Sequence, residues 1–200
     1  DTAVPGDPSS AAYFAALAAV LPGSQLTIRG ICVNPTRTGF LSILAKMGVS
    51  VSMQNVREVS GEPVADVHLL GGVLRNVTVE PEAIPSLIDE VPLLAVVGTQ
   101  ADGVMEIRGA RELRVKESDR LAAITQELRH MGARIVEQPD GLIVMGNTRL
   151  RGASVSSQGD HRIAMSLAIA GAVADGETTI SDASCVDISF PGFWELLARI

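Results

Sequence analysis

Cysteine is scarce in this 200-residue sequence: Cys32 and Cys185 stand far apart, with no metal-ligand spacing near either. A lone disulfide would be a thin framework for a chain of this size, so a reducing compartment is expected. Long hydrophobic runs are lacking too. Apolar stretches such as Ala11 to Leu21 and Ile163 to Ala174 are too short and too rich in alanine to span a bilayer, and no signal peptide precedes them. A cytoplasmic protein with no membrane partner is therefore expected. Basic residues are outnumbered, with 16 Lys and Arg against 23 Asp and Glu and a formal charge of −7. That balance argues against nonspecific nucleic-acid binding, yet it leaves room for a local basic cluster around a small anionic substrate. What is present is apolar material, 46% of residues with a mean hydropathy of +0.28, enough for a globular chain with a real core.

One pattern returns three times: an acid at a loop end, an alanine-rich helix, a glycine turn, then a short strand. The first copy runs from Asp7 through SSAAYFAALAAV to Leu26-Thr27-Ile28. The second runs from Asp89 through VPLLAVVGTQ to Met105-Glu106-Ile107, and the third from Asp160 through RIAMSLAIAGAVA to Thr178-Thr179-Ile180. In the first two copies a second helix follows, ending at Gly48 and Gly132, where glycine can adopt the left-handed cap. Strands are expected next at Val49 to Met53, Val67 to Leu69, Arg134 to Glu137 and Leu142 to Met145. The third copy stops inside its second helix, Phe193 to Ile200. Each unit reads β-α-β-α-β-β in circular order, which predicts an α/β or α+β domain of three related parts, about 1–80, 81–155 and 156–200. Helices this apolar all round belong at the centre, with sheets outside. A first residue Asp1 and an unfinished final run FWELLARI read as a chain cut at both ends.

The segment RVKESDR, Arg114 to Arg120, places three cations around two acids at the start of an amphipathic stretch. A helix over about Glu117 to Met131 would bury Leu121, Ile124, Leu128 and Met131 along one face, with Glu117 extending that stripe. Lys116 and Arg120 would then lie side by side, flanking the Glu117 carboxylate in a partly dry place. Desolvation raises such a carboxyl's pKa and the cations lower it, a balance suited to a group that takes and gives a proton. A solvated, ion-paired first turn is the plainer alternative.

Buried helices that begin together aim their positive N-termini at one place, a natural mouth for an anion. Asp7, Asp89 and Asp160 fit as N-caps, Asp7 best of the three. In GDHR, His161 is either an acid/base group or a satisfied structural histidine. Arg162, in the first turn of an apolar helix, has no local partner, and a carboxylate or phosphate is its natural one.

Taken in order, GDPSSAAYF, NPTRTG, IDEVPLLAV, LRVKESDRLAA, GDHRIAMS and SFPGFWELL resemble the C-terminal half of the EPSP synthase (3-phosphoshikimate 1-carboxyvinyltransferase) family across essentially the whole chain. The resemblance implies an inverse α/β prism domain of three βαβαββ repeats, with the active site in a cleft against a second, N-terminal domain. It implies transfer of the enolpyruvyl group of phosphoenolpyruvate to the 5-hydroxyl of shikimate 3-phosphate, by addition and elimination, in a monomer with no metal or organic cofactor.

By the same resemblance, Asp89 binds the shikimate hydroxyls and accepts a proton. Lys116 contacts shikimate 3-phosphate and its attacking hydroxyl, and Glu117 shuttles the proton at the methylene carbon. Arg120 and Arg162 clamp phosphoenolpyruvate, and His161 lies near its departing phosphate. Whether Asp89 or Glu117 handles the hydroxyl proton stays open. Ile188 stands where many members carry a phosphoenolpyruvate-binding lysine, as in a bacterial subclass lacking it. The family's N-terminal motifs, the KS-x-S-x-R element and the NAGTAMR-like loop among them, are missing, so the chain is expected to be inactive alone. Two other readings are the corresponding half of UDP-N-acetylglucosamine enolpyruvyl transferase, against which RVKESDR argues, and a noncatalytic repeat domain used for assembly.

Overall fold

The computed structural model describes residues 3–200; the expected start of the first repeat at residues 1 and 2 lies outside them. Three helices form the centre: α1 (Pro8–Val20), α3 (Val91–Gln100) and α5 (His161–Ala172). Each packs against the other two, and nearly every side chain is buried, as their all-round apolar sequences require. α1 shows the local logic. Pro8 is preset for the first turn, and the Asp7 carboxylate accepts from the Ser10 amide at 2.8 Å. The helix then ends at Leu21 ahead of Pro22-Gly23, where Gly23 takes φ 76°. Ala15 and Ala16 are fully buried between the helices, so a larger side chain there would overpack the centre by roughly 1–3 kcal/mol.

Around this centre stand three sheets. In the first, β1 (Gln25–Cys32), β2 (Ser50–Val59) and β3 (Glu62–Leu70) run antiparallel in the order β1-β3-β2, and Gly6 bridges Ile31 in parallel beside β1. The second places β4 (Thr78–Val79) parallel to β5 (Val104–Ile107), then β7 (Gly141–Met145) and β6 (Ile135–Gln138) antiparallel beyond it. In the third, β8 (Ser154–Ser156) pairs in parallel with β9 (Thr179–Ser181). The pattern is the same each time: a short parallel strand, a buried helix, a strand, then a second helix. Those second helices are α2 (Gly39–Lys46), α4 (Arg120–His130) and α6 (Phe193–Leu197). The expected architecture of βαβαββ units with buried helices inside and sheets outside is therefore observed, the third unit reading βαβα.

Two element boundaries differ from expectation. The strands placed at Val49 to Met53 and Val67 to Leu69 are parts of a longer hairpin, β2–β3, closed at Ser60-Gly61 with φ of 52° and 84°. More consequential for the site, α4 begins at Arg120 and not at Glu117. Asp119 is its N-cap, accepting from the Ala122 amide at 3.1 Å, and that side-chain bond fixes the helix start after residue 119. Leu121, Ile124, Leu128 and Met131 are fully buried as predicted. Glu117, by contrast, lies in the preceding loop with its side chain half exposed and does not extend the stripe.

Candidate active site

The starts of α3, α4 and α5 converge, and each brings charged groups with it. α3 is preceded by a 3₁₀ turn, Ile88–Glu90, that carries Asp89 and Glu90. Asp89 is not a helix cap; Glu90 holds that position without a side-chain bond, because the turn winds directly into the helix. α4 contributes Arg120 from its first residue and Glu117 from the loop before it, while α5 contributes His161 and Arg162 behind the Asp160 cap.

Arg120 is the hub. Only 2% of it is exposed, and each guanidinium nitrogen donates to a different carboxylate. Nε reaches Asp160 Oδ2 at 2.8 Å, Nη1 reaches Asp89 Oδ1 at 3.0 Å, and Nη2 reaches Glu117 Oε2 at 2.6 Å. A planar fork of donors suits such an arrangement, where an ammonium would not. Asp160 is fully buried and doubly employed: Oδ1 caps α5 through the Arg162 amide at 2.8 Å, and Oδ2 also accepts from Ser118 Oγ at 3.0 Å. Burial pushes its carboxyl up, but the bond to Arg120 and that cation's charge more than reverse this, leaving it below its ordinary range.

Arg162 sits 3.9 Å from Asp89 Oδ2 and 3.5 Å from Glu90 Oε1. Burial works against its charge, and the neighbouring Asp89 and Glu90 favour it. Glu90 is itself buried, and desolvation holds its carboxyl above the usual carboxylate range despite Ser9 and Arg162. Below it the Tyr13 hydroxyl is wholly buried and, among the described residues, has no hydrogen-bond partner. His161 Nδ1 lies 4.0 Å from Glu117 Oε1. Burial, then the charge of Arg162, lowers its pKa below 6.5, so the imidazole is neutral at neutral pH.

Five of the six predicted residues, Asp89, Glu117, Arg120, His161 and Arg162, are thus brought together. Lys116 is not beside Arg120: without a helical turn linking them, its ammonium instead binds Glu112 Oε1 at 2.7 Å. Glu117 is flanked by one cation, Arg120, and not by two. Ile188, at the end of the 3₁₀ turn Ala183–Ile188, is largely exposed. Sequence reasoning passed over Glu90 and Ser118, and weighed Asp160 only as a cap. The signal was their place inside the motifs IDE, RVKESDR and GDHR.

Chemically, two guanidiniums, Arg120 and Arg162, face four carboxylates, Asp89, Glu90, Glu117 and Asp160. Of the three acids on Arg120, Asp89 and Glu117 are partly exposed and Asp160 is sealed in place, so an anion that bound Arg120 would have to take its donors from Asp89 and Glu117.

Residues 1–197 match the family model described as EPSP synthase (3-phosphoshikimate 1-carboxyvinyltransferase). The 3-phosphoshikimate 1-carboxyvinyltransferase of Gloeobacter violaceus is 53% identical over 197 residues, covering 98% of this chain and 46% of that protein. The one from Geobacter sulfurreducens is 52% identical over 200 residues, 100% of this chain and 47% of that protein. A solved EPSP synthase from Acinetobacter baumannii superposes with a TM-score of 0.94 at 39% identity, over 98% of this chain and 46% of its own. The chain spans about half the length of the relatives it matches. Sequence and architecture agree along nearly its whole length, and the chain belongs to the EPSP synthase family.

Proposed function

We propose that this chain supplies the C-terminal wall of an EPSP synthase active site, the N-terminal domain supplying the other. The complete enzyme would be a cytoplasmic monomer without nucleic-acid or membrane partners. It transfers the enolpyruvyl group of phosphoenolpyruvate to the 5-hydroxyl of shikimate 3-phosphate. The observation that carries the reading is the buried Arg120 with one permanent acid, Asp160, and two displaceable ones, Asp89 and Glu117. The phosphate and carboxylate of phosphoenolpyruvate take the outer donors of Arg120, with Arg162 as the second clamp. Asp89 and Glu117, set free, serve as the proton-transfer groups. One of them takes the hydroxyl proton, which reaches the methylene carbon through Glu117; on elimination Glu117 takes a proton back from the new methyl group as the bond to phosphate breaks, and that proton leaves with the phosphate. Lys116 leaves Glu112 for shikimate 3-phosphate, and neutral His161 donates toward the departing phosphate. No metal or organic cofactor enters this scheme.

Four carboxylates against two guanidiniums do not attract anionic substrates by themselves, so further cations from the other domain are required. The test is phosphate release from the two substrates, with this chain alone and then with a separately expressed N-terminal half. Activity is expected only in the mixture. Silence in both, with folded halves that bind each other, would overturn the assignment.

A further inference from the structure

We propose that Arg114 is a positioning residue whose guanidinium clasps the loop Lys116–Ser118 and so sets where Lys116 and Glu117 stand. The inference rests on the roles just proposed for those two residues. Among the described residues, Lys116, Glu117 and Ser118 make no backbone–backbone hydrogen bonds, so side chains alone define the path from the 3₁₀ turn Arg111–Val115 to α4. Arg114 closes that loop. Its Nη1 donates across the mouth of the loop to Asp119 Oδ2 at 2.9 Å, and the other oxygen of Asp119 caps α4.

The remaining donors anchor the clasp to the β6–β7 turn. Nη1 also reaches Glu137 Oε1 at 2.8 Å, Nε the Pro139 carbonyl at 2.8 Å, and Nη2 the Gln138 carbonyl at 2.6 Å. That turn is itself pinned, since the Ala110 amide donates to the Asp140 carbonyl at 2.6 Å. Four acceptors from two chain segments, Asp119 and the run Glu137 to Pro139, thus share one planar fork. A lysine, with its three donors on a single atom, cannot span them. Arg114 has no reacting group to touch; it acts through the loop it closes.

The experiment uses the full-length enzyme that contains this chain, comparing Arg114→Lys with Asp119→Ser. Serine keeps a good N-cap for α4 while losing the Arg114 contact. Each variant should lower kcat by about 10- to 100-fold, the scale of displacing a catalytic group by roughly 1 Å. KM for phosphoenolpyruvate should change far less, because Asp160 still holds Arg120. The double variant should be no worse than the poorer single one, since both break the same clasp. Arg149→Lys, at the exposed pair with Asp175, is the control and should leave kcat unchanged. Wild-type kcat in either folded clasp variant, or losses that multiply in the double variant, would overturn the proposal. Glu117→Gln separates the two levels: if that variant is fully active the catalytic reading fails, whereas its inactivity beside a fully active Arg114→Lys sinks only the clasp.

Discussion

Replacing Arg120 with methionine keeps much of the side-chain volume but removes the one cation that Asp160 has on its Oδ2. Asp160 is fully buried, and afterwards it retains only the Ser118 hydroxyl at 3.0 Å and the Arg162 amide at 2.8 Å. Taking one partner from a buried ion pair costs about 3–5 kcal/mol, and the two surviving bonds argue for the lower end at pH 7. The pH dependence identifies the cause. In the wild type, Asp160 has a folded pKa below 3.8, so its contribution is fully present above that value and lost as the pH falls through the lower folded one. In Arg120→Met, burial acts without Arg120, so the folded pKa of Asp160 should move up from its wild-type position. The variant's deficit then grows as the pH rises and eases on acidification. Urea unfolding of the 200-residue chain at pH 7 and near pH 4 should show the gap between the two proteins narrowing at the lower pH. A gap below about 1 kcal/mol at pH 7, or one independent of pH, would refute the ionised Asp160–Arg120 pair as a structural element.

In the full-length enzyme, Glu117→Gln should reduce kcat by about 10²- to 10⁴-fold, the usual worth of a positioned acid or base, without raising KM for phosphoenolpyruvate. Steady-state kinetics decide this, and a raised KM with unaltered kcat would make Glu117 a binding residue instead. His161→Gln should flatten the stability profile between pH 7 and 5: the depressed histidine pKa means that stability is present above 6.5 and lost as the pH falls through the folded value. Thermal unfolding across that range tests it, an unchanged slope counting against the buried neutral imidazole. Gly141→Ala should destabilise the chain strongly, because a Cβ there collides with the Ile107 carbonyl across the β5–β7 pairing. An unfolding midpoint within about 1 °C of wild type would contradict that close approach.

How far the sequence carries depends on whether the deciding interaction is local. The buried helices were readable because α1, α3 and α5 are apolar all round, and α3 spans Val91–Gln100 as the pattern indicates. The hairpin β2–β3 was under-read because β2 is almost wholly exposed beyond Met53, so no alternation marks it; the Ser60-Gly61 turn was the one local signal. The start of α4 was misplaced because Glu117 suits the helical period as well as a loop does. Only the competition with the Asp119 cap separates the two. No spacing rule connects Arg120 to Asp160, which are joined solely by the convergence of two helix starts from different repeats.

That convergence explains why the site is built from acids as well as cations. Three helix N-termini and two guanidiniums in one place would be an unstable concentration of positive potential in the unliganded chain. Asp160, capping α5 and gripping Arg120, neutralises part of it permanently, and its full burial means that no ligand can replace it. Asp89 and Glu117 neutralise more, but from the exposed side, with Glu117 on a loop that lacks backbone bonds of its own. On the proposed function, an anion that displaces them would leave two carboxylates next to the reacting atoms without a guanidinium partner on Arg120. The arginine that pairs with the acids would then also be the group whose engagement by substrate releases them. The proposed clasp at Arg114 would keep Glu117 close enough to be of use when that happens.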